Sequence, residues 1–475
     1  MVDAGTIAKF SGGNARIAIA LAGTVGKGDK LTGLTDEDLF KRLFQQRHEH
    51  DADLLLVAQA CSLVYSFQGE AVDGTEAELP VIAALTGKTV GQVHAAVAEL
   101  KRRDLVQQRG VWRAVLPHAL ANRLAKMALQ NIPSAEIDKH LVQGASERLL
   151  RSFSRRLGYL HDSKEAFHIV EGWLGKDGLL GDLATLTELG RNILSNIAPV
   201  VPASVLAALE RTPSGDIAGH DGIVRLIRSL AYEAKYFDRC VELLAKFSEI
   251  EATKEEKSDA ASCLGSLFHI VLSGTLAPPA QRLQSLEALL TSSNPIRQAL
   301  GLKAFSAFLE SSHFSSSYAF EFGAHSRDHG YTPRTGKDVQ TWFSSVLKLF
   351  EQLDAQKLSV GKKLRETLPQ HFRALWSNSG VADELDRIFR AIAKEGFWRE
   401  GSLKQLVQRF APMSWSGSRA AIMESRLPLL KQLESHANPR IAEVAREEGL
   451  RFQQQVEKER KWETENDRST DERFE

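Results

Sequence analysis

From about Ser134 to Arg460 the apolar residues of this chain recur every three or four positions, and almost nowhere in simple alternation. A period of 3.6 places those side chains on one face of an α-helix, whereas a half-buried strand would alternate them. Most of the chain is therefore restricted to helices packed on helices. Apolar-faced segments at 222–232, 237–250, 258–272, 279–290 and 295–309 are separated by Pro, Gly, Asn and Ser, residues that stop or start helices. Asn294-Pro295 and Asn438-Pro439 each open such a segment. An Asn cap followed by Pro in the first turn is a well-formed helix start. Successive helices without intervening strands predict an α-solenoid of HEAT or TPR style over 134–456, although no repeat period emerges. Residues 457–475 are dominated by Lys, Arg, Glu and Asp and read as a frayed, disordered tail.

Residues 47–133 follow a different plan. An apolar helix at 54–65 precedes a short one at 78–85. The turn Thr86-Gly87-Lys88-Thr89 follows, then a third helix at 90–103 with Val93, Val97 and Leu100 on one face. Arg109-Gly110 joins two short apolar runs as a β-hairpin, and a further helix at 118–129 leads out. This is the order of a winged helix-turn-helix. Gly87-Lys88-Thr89 imitates the end of a phosphate-binding loop, but that pattern needs a glycine where Ile82 stands, and a strand in front of it. The turn of the helix-turn-helix accounts for it.

From Thr89 to Lys126 the module carries Lys101, Arg102, Arg103, Arg109, Arg113, Arg123 and Lys126 against only Glu99 and Asp104. Such a run on a recognition helix and wing suits DNA phosphates. Against this, the basic residues cluster at the C-terminal end of the third helix. The N-terminal part, which reads bases in such motifs, is Val90, Gly91, Gln92 and His94. A protein-packing module is the reading favoured here, with nucleic-acid contacts through Lys101, Arg102, Arg103, Arg109 and Arg113 as the alternative and a helical-repeat scaffold as a third.

Composition adds boundaries. A chain of 475 residues can hold two to four domains. Sixty basic residues against sixty acidic ones exclude a nucleic-acid footprint spread over the whole surface. Cys61, Cys240 and Cys263 are far apart within apolar helical patterns and read as buried thiols of a reducing cytoplasm. No segment has the length of a membrane span, and no leader pattern is present, so a cytoplasmic location and no membrane partner are expected.

One stretch of the helical region is aperiodic: Phe322-Gly323-Ala324-His325-Ser326-Arg327-Asp328-His329-Gly330-Tyr331-Thr332-Pro333-Arg334. Loops of this length inside a packed array are often functional, which makes His325, Arg327, Asp328, His329 and Tyr331 candidates. The competing reading is structural, with Arg327 and Asp328 packing against helix ends. Two histidines and one aspartate do not complete a metal site. His48, His50, Asp51 and Asp53 lie on a charged joint and read as a solvated linker. Trp173, Trp342, Trp376 and Trp398 sit at helical spacing and are expected in the core. No Ser/His/Asp, Cys/His or paired-carboxylate pattern stands out, so no catalytic residue is assigned.

The N-terminal segment, 1–46, holds Gly12-Gly13-Asn14-Ala15-Arg16 at the start of an apolar helix. With the winged helix and the long array behind it, this order of parts resembles the region that follows the P-loop domain in STAND-type ATPases. The Gly-Gly-Asn-Ala-Arg run is also similar to the lid start of origin-recognition AAA+ proteins, which lack so long an array. The stretches Asn196-Ile197-Ala198-Pro199-Val200-Val201-Pro202, Leu272-Ser273-Gly274-Thr275 and 322–331 resemble C-terminal regions of large bacterial STAND-like proteins. The resemblance implies a switch. ATP with Mg would bind an upstream P-loop domain, with Gly12, Gly13, Asn14 and above all Arg16 completing that site from the lid. The winged helix would couple nucleotide state to the array, which would sense a protein trigger or effector. It further implies self-association on activation and a role in signal transduction or antiviral defence. Walker motifs are missing from this sequence, so the expectation is a chain without catalysis of its own.

Overall fold

The computed structural model describes residues 52–471 apart from 218–219, 254–258, 313, 316–320, 357–358, 394–399 and 413–416, with four isolated positions (5, 7, 15 and 18) near the N-terminus. Gly12, Gly13, Asn14 and Arg16 lie outside the described residues, as do His48, His50, Asp51 and Trp398. The described part is mainly helical with one small antiparallel sheet. The chain divides into two compact units: Met1–Gly222 with Glu321–Ser326, and Ile223–Phe320 with Arg327–Glu475.

The first unit opens with α1 (Ala52–Ser62), β1 (Phe67–Gln68), α2 (Leu79–Thr86), α3 (Val90–Arg102), β2 (Val106–Arg109) and β3 (Trp112–Val115). The sheet order is β1-β3-β2, antiparallel throughout, with Gln68 opposite Trp112 and Gln108 opposite Arg113. This completes the element order of a winged helix-turn-helix, with one strand that the sequence pattern does not announce. The turn between α2 and α3 needs the backbone freedom of glycine: Gly87 closes α2 at φ 64°. Thr89 then caps α3 in a reciprocal box, its hydroxyl accepting from the Gln92 amide while the Gln92 side chain accepts from the Thr89 amide. Leu54, Val57, Cys61, Ile82, Val93, Val97 and Leu100 form the small core.

Helix α4 (His118–Asn131) packs along α1. A short α5 (Ser134–Asp138) widens into a π-turn at Lys139–Gln143. Helices α6 (Glu147–Leu157), α7 (Lys164–Leu174), α8 (Glu188–Ile197) and α9 (Pro202–Arg211) complete this unit, with α6 against α8. Packing does not lapse at position 133. The Tyr65 amide donates to the Ser152 carbonyl on α6 at 3.0 Å, and the Ser66 amide to the Ser152 hydroxyl at 2.9 Å.

The second unit contains α10 (His220–Leu230), all but its first residues, then α11 (Ala234–Thr253), α12 (Asp259–Ser266), α13 (Pro279–Leu290), α14 (Pro295–Phe308), α15 (Gly336–Ala355), α16 (Ser359–Asn378), α17 (Ala382–Ala393) and α18 (Glu400–Gln408). Short α19 (Arg419–Glu424) and α20 (Leu427–Leu433) lead to the long α21 (Pro439–Asp471). Alternate helices stack: α14 on α16 on α18, and α13 on α15 on α17 on α20. Two layers of alternating helices are the arrangement of a helical-repeat array. The Asn-Pro starts behave alike: Asn294 accepts from the Ile296 amide and Asn438 from the Arg440 amide. Helix α12 ends at Ser266, short of the expected 272, and further on Leu272 (φ 55°) and Gly274 (φ 62°) hold left-handed backbone that a helix does not contain.

Within the described part of the charged end, α21 runs to Asp471. Its charges have partners on α19. Glu463 accepts from the Arg419 and Ala420 amides and the Ser418 hydroxyl, and Glu459 pairs with Arg419 at 2.9 Å. A carboxylate on the exposed amides of a helix start is favourable both as a cap and with the helix dipole. Trp173 and Trp342 are buried and Trp376 is half-buried. The three cysteines are buried, and burial pushes the Cys61 thiol far up. No described helix is long and apolar enough to cross a membrane.

Candidate functional site

The basic surface of the winged-helix module is smaller than its composition. Arg113 sits on β3 with its side chain buried. Its Nη1 donates to the Gly110 carbonyl at 2.7 Å and its Nη2 to Glu70 at 3.1 Å. A Cβ at Gly69 would run into the Arg113 stem, so the arginine crosses a backbone stripped of side chain. Arg102 and Arg103, one turn or less from Glu99, both bond its carboxylate, at 2.8 and 2.6 Å. These two arginines hold the Glu99 carboxyl below its ordinary range. Lys101 bonds the Gln108 side chain across to β2. Lys101 and Arg109 are exposed. Of the five candidate phosphate contacts, one is inside the fold and two share a carboxylate. The tip of the wing is instead apolar, with Val111 and Trp112 about two-fifths exposed (39% and 41%).

The aperiodic loop is bonded throughout. In the first unit, the His325 ring lies tilted against that of His161 with centroids 4.0 Å apart, and its Nε2 lies 2.9 Å from the Pro199 carbonyl. Gly323, at φ 59°, lies so close to the Gly158 carbonyl and Pro199 that a Cβ would collide with both. In the second unit, the Arg327 guanidinium lies 4.6 Å from the centre of the Tyr232 ring and donates to the Ser229 carbonyl at 2.7 Å. Burial lowers its pKa to about 10. Asp328 accepts from the Gly330 amide at 2.8 Å and the Tyr232 hydroxyl at 3.0 Å, and these bonds hold its carboxyl below the usual range.

The His329 carbonyl accepts from the Gly274 amide, and the Tyr331 amide donates to the Thr275 carbonyl, each at 2.8 Å. The loop thus pairs with 272–275, one of the stretches singled out in the sequence, and its earlier part bonds 196–202, another. Arg327 and Asp328 pack on the end of α10, as the structural reading required. Among the described residues, no group of three or more His, Cys, Asp or Glu side chains is placed to hold a metal ion.

Sequence reasoning passed over the arginines that fix this region. Arg282, with a relative exposure of 0%, donates Nε to the Ala277 carbonyl, Nη1 to those of Leu267 and His269, and Nη2 to that of Thr275. Its guanidinium lies 5.4 Å from the Tyr331 ring and 5.2 Å from the Trp342 ring. Burial lowers its pKa to about 9. Arg228 caps the neighbouring Ser273 and Gly274 carbonyls. No periodic signal marks such residues, because an arginine that serves distant carbonyls looks in sequence like any arginine on a helix.

A groove of about 480 Å³ lies between the turn after α7 and α8, lined by Lys176, Asp182, Thr185, Leu186, Leu189 and Ile193 among others. Gly178 and Gly181 allow that turn to fold onto the carbonyls of residues 172–176, where a Cβ would clash. The groove is half polar and open, and brings no titratable pair into bonding distance.

No protein-family model matches the chain, and a comparison with curated proteins returns no significant match.

Proposed function

We propose that this chain is the sensing and transmitting part of a STAND-type nucleotide switch. It has no catalysis of its own, and its helical array binds a protein trigger or effector. In this reading ATP and Mg are held by a P-loop domain, and Arg16 reaches that site. The reading is supported chiefly by how the winged-helix module is used. Three of its arginines, Arg102, Arg103 and Arg113, bond within the fold, and its base is clamped to the helical array rather than turned outward. Glu78, buried at the start of α2, accepts from Arg148 on α6 and from the Gln68 amide at 2.7 Å, while Arg148 also donates to the Ser66 carbonyl at 3.0 Å. A module tied in this way transmits movement to its neighbour. The two-layer array offers the extended surface such proteins use for protein partners.

The test has two arms. Purified chain with Mg and ATP should show no hydrolysis above background; turnover that Arg16→Ala abolishes would refute the assignment. Binding to duplex DNA should be absent at physiological salt. The DNA-binding alternative requires log affinity to fall with log salt at a slope of about −0.9 per phosphate contact.

A further inference from the structure

We propose that Arg156 holds an oxyanion, a phosphate group, against the Tyr65–His118–Tyr159 ring cluster of the first unit. Arg156 stands near the end of α6 with a relative exposure of 0%. Its Nη1 donates to the Asn122 side chain on α4. Its Nε and Nη2 are buried and have no hydrogen-bond partner. By covalent geometry, Nε–H and the adjacent Nη2–H point the same way and form the two-pronged edge that fits two oxygens of one phosphate or carboxylate. The unsatisfied atoms are therefore not a random pair; they are the fork. A guanidinium only donates, so whatever satisfies it must accept.

The surroundings favour an anion. Arg155 lies 3.9 Å from the centre of the Tyr65 ring and Arg156 5.5 Å from it. No salt bridge is formed by either arginine among the described residues. His118 stacks on Tyr65 at 4.8 Å, its Nε2 lies 3.1 Å from the Tyr65 hydroxyl, and its buried Nδ1 has no partner. Tyr159 lies 6.1 and 6.2 Å from those two rings. The nearby carboxylate, Glu321, is exposed and accepts from the Tyr159 hydroxyl at 2.8 Å. Two guanidiniums thus meet aromatic faces rather than carboxylates. A dianionic phosphate balances the pair, which a carboxylate does not.

The experiment uses the full chain and isothermal titration at fixed ionic strength. Inorganic phosphate should bind saturably with one site per chain, while chloride should not. Arg156→Lys keeps the charge but removes the fork, and should weaken phosphate roughly tenfold or more. Arg109→Ala, on the exposed wing, should leave the isotherm unchanged. A phosphate monoester such as glycerol phosphate, titrated in parallel, separates the sources: tighter binding than inorganic phosphate assigns the site to a phosphorylated ligand, weaker binding to the free ion. Absence of binding by both, or equal affinity in folded Arg156→Lys, overturns the proposal. So does a crystal grown with phosphate that shows only a water molecule on Nε and Nη2.

Discussion

Glu78→Ala should loosen the winged helix from α6 and destabilise the first unit. The substitution removes the acceptor for the Gln68 amide and for two nitrogens of Arg148. Glu78 is 5% exposed, while the Arg148 side chain is one-third exposed. Breaking a fully buried pair costs about 3–5 kcal/mol. Because Arg148 can turn part of its guanidinium to water, the expected loss is about 2–3 kcal/mol. For a unit of this size that lowers its melting transition by roughly 5–10 °C. Glu78→Gln keeps an acceptor for the amide and should cost less, about 1–2 kcal/mol. The pairwise part comes from a cycle with Arg148→Met, where the coupling should be about 1–2 kcal/mol. Since the chain has two units, amide exchange of the 106–115 hairpin provides the local readout beside the melt. A Glu78→Ala loss below about 0.5 kcal/mol, or a coupling near zero, would show that the clamp is incidental.

Gly330→Ala should detach the loop from 272–275. The new Cβ meets the Thr275 backbone at φ 85°, so a loss of about 2 kcal/mol or more and faster exchange of the Gly274 and Tyr331 amides are expected. Arg282→Met takes the side-chain donor from the Ala277, Leu267 and His269 carbonyls, while Thr275 keeps the Tyr331 amide, and should cost about 2–4 kcal/mol in the second unit, read by urea unfolding. His371, largely buried beside Arg409 and 2.8 Å from the Ser306 hydroxyl, has its pKa lowered to about 4, first by burial. A depressed histidine keeps its stabilising contribution above the unfolded value near 6.5 and loses it as pH falls towards 4. The loss is bounded at about 3 kcal/mol, and His371→Asn should flatten the stability profile across that window.

The fold was legible where the signal is local. The α-helical period, the Asn-Pro starts at 294 and 438 and the turn at 86–89 are each set by residues within four positions of one another, and the structure places helices and a turn there. Strand β1 was not legible, since two residues cannot display alternation and its identity rests on pairing with β3 some 45 residues later. Composition at 457–471 does not show that Glu459 and Glu463 face the start of α19. The 322–334 loop was visible as an interruption, but not its role, since the groups that fix it come from residues as distant as His161 and Tyr232.

Two buried arginines show what separates a structural cation from a site. Arg156 and Arg282 are equally inaccessible, both lie against aromatic rings, and burial lowers the pKa of both, to about 10 and about 9. Charge, burial and ring contact therefore do not distinguish them; the disposition of their donors does. Arg282 uses all three nitrogens on the carbonyls of a single irregular segment, so its purpose is fulfilled within the chain. Arg156 uses one, and leaves the two-pronged edge unpaired beside the Tyr65 ring, which a second guanidinium also meets. Leaving a buried donor unmade costs about 1–3 kcal/mol, and more when it is charged. A fold that needed only packing at this position would keep the α6 contact with an apolar side chain of similar length. Arg156→Met should therefore leave the unliganded chain as stable or more stable while abolishing its response to phosphate, whereas Arg282→Met should destabilise the chain with or without it. Equal destabilisation by both would place Arg156 in the same class as Arg282.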